Sequence, residues 1–370
     1  MTIKPSMAFT TEAAGQGTPD RPPRIEQLTD EALQEYLLAG VSRTFALTIP
    51  LLPESLRSAV SNAYLLCRTI DTIEDDPDLD YEDKRLLCEQ YVEVVEGKRD
   101  PIAYASLLLP LIRNSATAME QELIAFTDRV VGLTQGLQRR ARQAITRCIV
   151  IMSEGMIDFQ QEQHRAGLPD LRELNRYCYV VAGVVGEMLT DLFCLQSSAT
   201  NRNYQKMMSL STSFGQGLQM VNILKDQWDD YRRGACWLPR DIFQQEQFDL
   251  QELQPGAANK RFDAGLHRLI GVAHAHLRNA FQYTLHVVPQ DKGIRRFCLL
   301  ALGLAMLTLQ KINRNRHFTR AEEVKISRKA VKYTYIVTKL GASSDRFLQL
   351  LFRRASRGLP LADTSSARLQ

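Results

Sequence analysis

Gln219-Met-Val-Asn222-Ile-Leu-Lys225-Asp226-Gln-Trp-Asp229-Asp230 decides how this 370-residue chain is read. Taken as helix, Gln219, Asn222, Asp226 and Asp230 fall three, four and four positions apart and share one stripe, while Ile223 and Leu224 point into a core. Carboxylates at i and i+4 repel by roughly 0.2–0.5 kcal/mol on an exposed helix, so the stripe is an asset only with a cation between its acids. Oxygen donors of this kind suit Mg²⁺, which is usually held by one or two carboxylates plus substrate phosphates.

A second stripe supplies the other half of such a site. Tyr64, Arg68, Asp71 and Asp75 also line up on one helical face, within Tyr64-Leu-Leu-Cys-Arg68-Thr-Ile-Asp71-Thr-Ile-Glu74-Asp75-Asp76. Two acidic stripes facing each other across a bundle make a cage for several Mg²⁺ ions and a diphosphate. A lone Asp-x-x-x-Asp is usually a solvated helix face. Two of them, one carrying an Arg and the other an Asn, make that bland reading the weaker one.

Helical periodicity dominates the rest of the chain, broken by Pro, Gly and Asp. Thr29-Asp30-Glu31 opens a first helix, and Ser42-Arg43-Thr44-Phe45 is a loop or helix end. Pro53 starts the helix of the Asp71 stripe, and Pro77-Asp78-Leu-Asp80 ends it. Helices are expected over 82–95, 103–112 and 119–126, then as one long run over 132–163 containing Gly155-Met156. A helix over 170–193 holds Gly183 and Gly186, each costing about 1 kcal/mol relative to alanine. They serve either a ligand lying beside the helix or tight helix packing. Residues 197–203 read as loop, 204–231 as the second acidic helix, and 259–285, 293–312, 322–340 and 344–354 as further helices. The fold class is therefore all-α: a single domain over 25–356 around a central cavity, with disordered tails at 1–24 and 357–370.

Composition narrows the function. The apolar fraction of 45% is ample for a core, and a net charge of +4 makes no case for nucleic acid. The seven cysteines, none in a Cys-x-x-Cys pair, read as reduced core thiols of a cytoplasmic protein. The N-terminus lacks the pattern of a signal peptide. The most apolar stretch, Phe297 to Leu309, is shorter than the roughly 20 residues a membrane span needs. No transmembrane anchor and a monomer are expected, with peripheral, transient contact to a membrane surface through an apolar or basic helix near Arg353-Arg354.

The two acidic runs, in this order, resemble the aspartate-rich motifs of the squalene/phytoene synthase family. Ser42-Arg43-Thr44-Phe45 resembles its substrate-flap motif, and Tyr177-Cys-Tyr-Val-Val-Ala182-Gly183-Val-Val-Gly186 its central tyrosine motif. The likeness runs from about Leu38 to about Leu340 and is strongest to the squalene synthase branch. It departs at Lys225, where Arg is usual, at Ala235 and Trp237 in the run after Arg232-Arg233, and in the residues after Phe297-Cys298.

The resemblance implies an isoprenoid-synthase bundle that joins two farnesyl diphosphates head to head through presqualene diphosphate, with NADPH reducing the second intermediate to squalene. It implies Mg²⁺ at Asp71, Glu74, Asp75, Asn222, Asp226 and Asp230. Diphosphate and substrate would be held by Ser42, Arg43, Phe45, Tyr64, Arg68, Gln219, Asn222, Lys225, Arg232 and Arg233. Tyr177 would work beside the cation, with a capped core tyrosine as its bland reading, and Gly183, Gly186 and Phe297 would border the cavity. Rival readings are a relative that yields presqualene diphosphate, dehydrosqualene or phytoene without NADPH, and a non-catalytic helical lipid-binding protein.

Overall fold

The computed structural model describes residues 25–160, 166–255 and 259–362. The expected tail at 1–24 lies outside them. Thr29 caps α1 (Asp30–Val41) by accepting from Ala32 N, and α2 (Phe45–Thr48) is one short turn. After Pro53 comes α3 (Glu54–Glu74), which carries the first stripe. Then follow α4 (Tyr81–Val95), α5 (Pro101–Ile112), α6 (Ala118–Ala125), α7 (Thr127–Gly136) and α8 (Arg139–Gln160). The second half contains α9 (Leu171–Cys178), α10 (Val184–Gln196), α11 (Ser198–Asn201), α12 (Tyr204–Arg232), α13 (Arg240–Gln245) and α14 (Lys260–His286). The chain closes with α15 (Lys292–Arg314), α16 (Ala321–Val324), α17 (Arg328–Gly341) and α18 (Asp345–Ala355). Among the described residues no strand forms, and the fold is a single all-helical domain.

Helix α12 runs through the middle, packed against α10, α14 and α15. It lies so close to α10 that a Cβ on Gly186 would stand 2.1 Å from Ser211 O, and one on Gly215 1.9 Å from Ala182 O. The backbones therefore touch directly, which only glycine permits. Between α9 and α10 the helix widens into a π turn over Tyr179–Gly183, the kind of local bulge found mostly at functional sites.

Several expectations are corrected. Over 132–160 the expected single run is two helices, because Leu137 is extended and Arg142 Nη1 reaches back to Gln135 O at 2.9 Å, and 161–163 lie outside the described residues. Residues 197–203 are not all loop: Ser197 Oγ accepts from Thr200 N and starts α11. The helix expected at 322–340 breaks at Lys325, and Ser327 caps a new one by accepting from Ala330 N. The 357–370 tail is folded in part. Asn313 Nδ2 donates to Gly358 O, His274 Nδ1 to Pro360 O, and Ala362 N to Gly271 O, so the packed body reaches Ala362.

Phe297–Leu309 belongs to the 23-residue α15, which is long and apolar enough to cross a bilayer, as is the segment Leu171–Gln196. The length argument against a span therefore fails for α15. In this fold both are core helices, with most of the apolar window buried against neighbours. All seven cysteines are buried and unpaired.

His276 on α14 is buried against α12, its Nδ1 3.2 Å from Ser213 Oγ, and burial pushes its imidazole down to about 4. Between pH 6.5 and about 4 the unfolded chain binds a proton that the folded chain refuses. This contribution is therefore intact above pH 6.5 and declines as pH falls through that window, by about 2 kcal/mol at pH 5. Urea titrations at pH 7.5 and 5 should show a smaller acid loss for His276→Gln than for the wild type. Equal losses would mean that another group is responsible.

Candidate active site

The two stripes meet in one cavity of about 890 Å³. Helix α3 contributes Tyr64, Arg68, Asp71 and Glu74 to its wall, with Asp75 capping its C-terminal end, and α12 contributes Gln219, Asn222, Lys225, Asp226, Asp229 and Asp230. Arg232 and Arg233 lie where α12 ends. The charged groups interact across the cavity, since Asp230 and Arg233 both feel the charge of Asp75. The rest of the wall is apolar, with Met152, Met156, Leu189, Phe214 and Phe297 among its members. One space thus has an acid-lined polar portion and an apolar portion.

The acids are under electrostatic stress. Burial, resisted by Arg68 and reinforced by Asp75 and Glu120, raises Asp71 to about 7. Burial, with Asp75 and Asp71, raises Glu74 to about 8, although Gln160 donates to it. Burial also lifts Asp226 and Asp230, against the pull of Lys225 and Arg233 respectively. The cations are largely committed. Arg68 binds Glu120 and lies 3.8 Å from Asp71, and Lys225 lies 3.1 Å from Asp226. Arg232 and Arg233 each sit 2.5 Å from their partners, Asp229 and Asp230. The Asp75 carboxylate is exposed and makes no hydrogen bond or ion pair among the described residues.

This donor set fits Mg²⁺. Acids converge with too few free cations, and proton uptake is their alternative to a metal. Among the described residues no three acidic, histidine or cysteine groups form a ready-made metal cluster. Mg²⁺ does not need one, since it keeps waters and takes phosphate oxygens beside one or two carboxylates.

Asp76 differs from its neighbours. It is buried, and its carboxylate accepts from Asp78 N at 2.8 Å, from Leu79 N at 3.1 Å and from Ser115 Oγ, so it builds the turn that ends α3.

Tyr177 projects into the cavity from α9, stacked on Trp237 at 4.0 Å and 7° and edge-on to Phe159 at 5.2 Å. Trp237 is held there because its neighbours pair with the loop before α9: Leu168 N donates to Leu238 O at 2.9 Å and Arg240 N to Leu168 O at 2.8 Å. Gly167 makes this approach possible at φ +90°, where a Cβ would stand 2.6 Å from Leu238 O. Burial first, then the charges of Glu74, Cys178, Asp75 and Asp230, push the Tyr177 phenol well above its usual value.

Three expected site residues are not in the wall. Ser42 is buried behind it, accepting from Phe45 N at 3.0 Å, and so fixes the Phe45 ring, which lies 4.9 Å from that of Tyr64 in the wall. Arg43 is exposed on the same turn. Gly183 faces α12, where a Cβ would meet Tyr179 Cδ2 at 3.0 Å and Gln216 Cγ at 3.5 Å, whereas Gly186 does border the cavity. Residues not foreseen are Asp229, Trp237 and Gly215 in the wall, and Glu120 and Gln160 behind it. Asp229 was legible in the acidic run. Glu120 and Gln160 carry no local signal, because their partners are more than fifty residues away in sequence.

A family model described as squalene/phytoene synthase matches residues 38–330. The squalene synthase ERG9 of Gibberella zeae is 28% identical over 290 residues, covering 74% of this chain and 57% of that protein. The Botryococcus squalene synthase of Botryococcus braunii is 29% identical over 282 residues, covering 74% of this chain and 56% of that protein. The chain thus spans about three-fifths of the length of the curated relatives it matches. Among solved structures, TcSQS in complex with the ligand BPH1237 superposes with a TM-score of 0.72 at 23% identity, covering 92% of this chain and 95% of that one. A dehydrosqualene synthase in complex with a ligand gives 0.61 at 19% identity, covering 85% and 97%. At these identities the structural likeness bears on the fold alone.

Proposed function

Because the chain belongs to the squalene/phytoene synthase family of head-to-head isoprenoid synthases, we propose that it condenses two farnesyl diphosphates through presqualene diphosphate to squalene. The observation that carries this reading is the single cavity of about 890 Å³ in which two aspartate-rich helices border an apolar wall.

Asp71, Asp75, Asn222, Asp226 and Asp230, with Glu74 behind them, are the residues that would hold Mg²⁺, which when bound neutralises the leaving diphosphate. Lys225, Arg232 and Arg233 stand beside those acids and can turn to diphosphate oxygens when substrate arrives. Arg68, tied to Glu120, holds its charge in place rather than swinging.

When the allylic C–O bond breaks, both electrons leave with diphosphate and the prenyl chain is left as a delocalised cation. The second chain's double bond supplies the electron pair for the new C–C bond, and a proton is then lost. Tyr177 keeps its own proton at neutral pH, so it acts through its ring and hydroxyl dipole, and the departing diphosphate is the better base. The Phe214, Phe297 and methionine walls exclude water that would quench the cation. In the second half-reaction the remaining C–O bond of presqualene diphosphate would break, its electron pair leaving with the second diphosphate, and NADPH would supply hydride to the rearranged cation and leave as NADP⁺.

Incubation with farnesyl diphosphate and Mg²⁺, with and without NADPH, tests this directly. Squalene formed only with NADPH is the expected product. Dehydrosqualene or phytoene would assign the chain to another branch of the family, and ligand uptake without turnover would make it a binding protein.

A further inference from the structure

We propose that the outer face of α17 and α18 docks the protein on an anionic lipid surface. Tyr333, Ile336 and Leu340 lie three and four residues apart, on one stripe of α17. Tyr333 is 68% exposed and Leu340 80%. The stripe continues across the turn, because Phe347 of α18 packs on Gly341, and Leu350, one turn further, is 64% exposed. These side chains are not needed inside. The helices face the body with other residues: Thr334 against Gly303 of α15, Leu348, and Phe352 stacked on Phe281 at 4.3 Å.

Charge selects the occupant. Residues 325–357 carry nine Lys and Arg and one acid, Asp345, a net +8 in a chain whose total is +4. Asp345 is itself paired with the buried Arg295. Lys329, Lys332 and Lys339 are exposed beside the apolar stripe, as are Arg346, Arg353 and Arg354 on α18. A second copy of this chain would set +8 against +8 and be repelled. An anionic bilayer takes the lysines at its headgroups and the apolar stripe at the acyl boundary. The position also suits an apolar product, since α15 presents Phe297 and Ala301 to the cavity and Gly303 to α17. One helix separates the apolar wall from the docking face.

Co-sedimentation of the full-length protein with vesicles tests this without reference to the reaction, so its failure leaves the catalytic reading standing. Binding is expected to vesicles of phosphatidylcholine mixed with phosphatidylglycerol and not to phosphatidylcholine alone, and to weaken with salt. Lys329→Gln/Lys332→Gln/Lys339→Gln should lower the affinity by about 100-fold. Ile336→Glu/Leu340→Glu should abolish it, with circular dichroism unchanged. Equal binding to both vesicles, or binding that survives both variants, overturns the proposal. So does self-association removed by Ile336→Glu/Leu340→Glu in a protein that ignores vesicles.

Discussion

Asp226→Asn and Asp75→Asn should each reduce kcat by about 1,000-fold, about 4 kcal/mol of lost stabilisation of the departing diphosphate, while the protein remains folded. The two residues lie on α12 and at the C-cap of α3, facing into one cavity, and the Asp75 carboxylate has no hydrogen bond or ion pair among the described residues to lose. Its replacement therefore removes a donor and nothing structural. Asp76→Ala, one residue further, should do the reverse. It strips three hydrogen bonds from the turn after α3, costs about 1–3 kcal/mol of stability and leaves kcat of the folded enzyme within a few-fold. Steady-state kinetics alongside urea unfolding of the three variants checks both halves. An Asp75→Asn enzyme with near-normal kcat would remove the first stripe from the mechanism.

Gly215→Ala should destabilise the protein by about 3 kcal/mol or more and impair the cavity with it. The added Cβ would stand 1.9 Å from Ala182 O and 2.4 Å from its carbonyl carbon. Both partners are backbone, so no rotamer change relieves the clash and α12 must move away from the π turn. That movement displaces Phe214 and Leu218 in the cavity wall, so activity should fall along with the unfolding midpoint. Gly132→Ala on α7 is the control. Nothing lies within 4 Å of its new methyl, and the substitution should stabilise by about 0.5–1 kcal/mol through lower unfolded-state entropy. Equal midpoints for the two variants would show that the π turn and α12 are not locked together at this contact.

The glycines show how a correct sequence observation can leave its cause open. Gly183 and Gly186 three apart signal a helix thinned against something, and ligand and helix are equally good occupants on spacing alone. The structure gives Gly186 the Ser211 carbonyl as its neighbour, with the cavity alongside, and turns Gly183 toward Gln216. Gly215, the partner in the same contact, stands in a Gly-Gln-Gly run whose spacing points to no neighbour.

The sequence by itself determined the all-helical class, the faces of α3 and α12 that carry acid, and the chemistry such faces can support, because a helix's period is a local property written every three to four residues. It could not say which cation each acid would meet. Only the tertiary structure committed Arg68 to Glu120, separated Asp76 from Asp75 in role, laid Trp237 on Tyr177 and left the stripe of α17 uncovered among the described residues. Those outcomes depend on contacts between residues far apart in the chain, whose energy arises only when the elements pack and leaves no periodic trace in either segment.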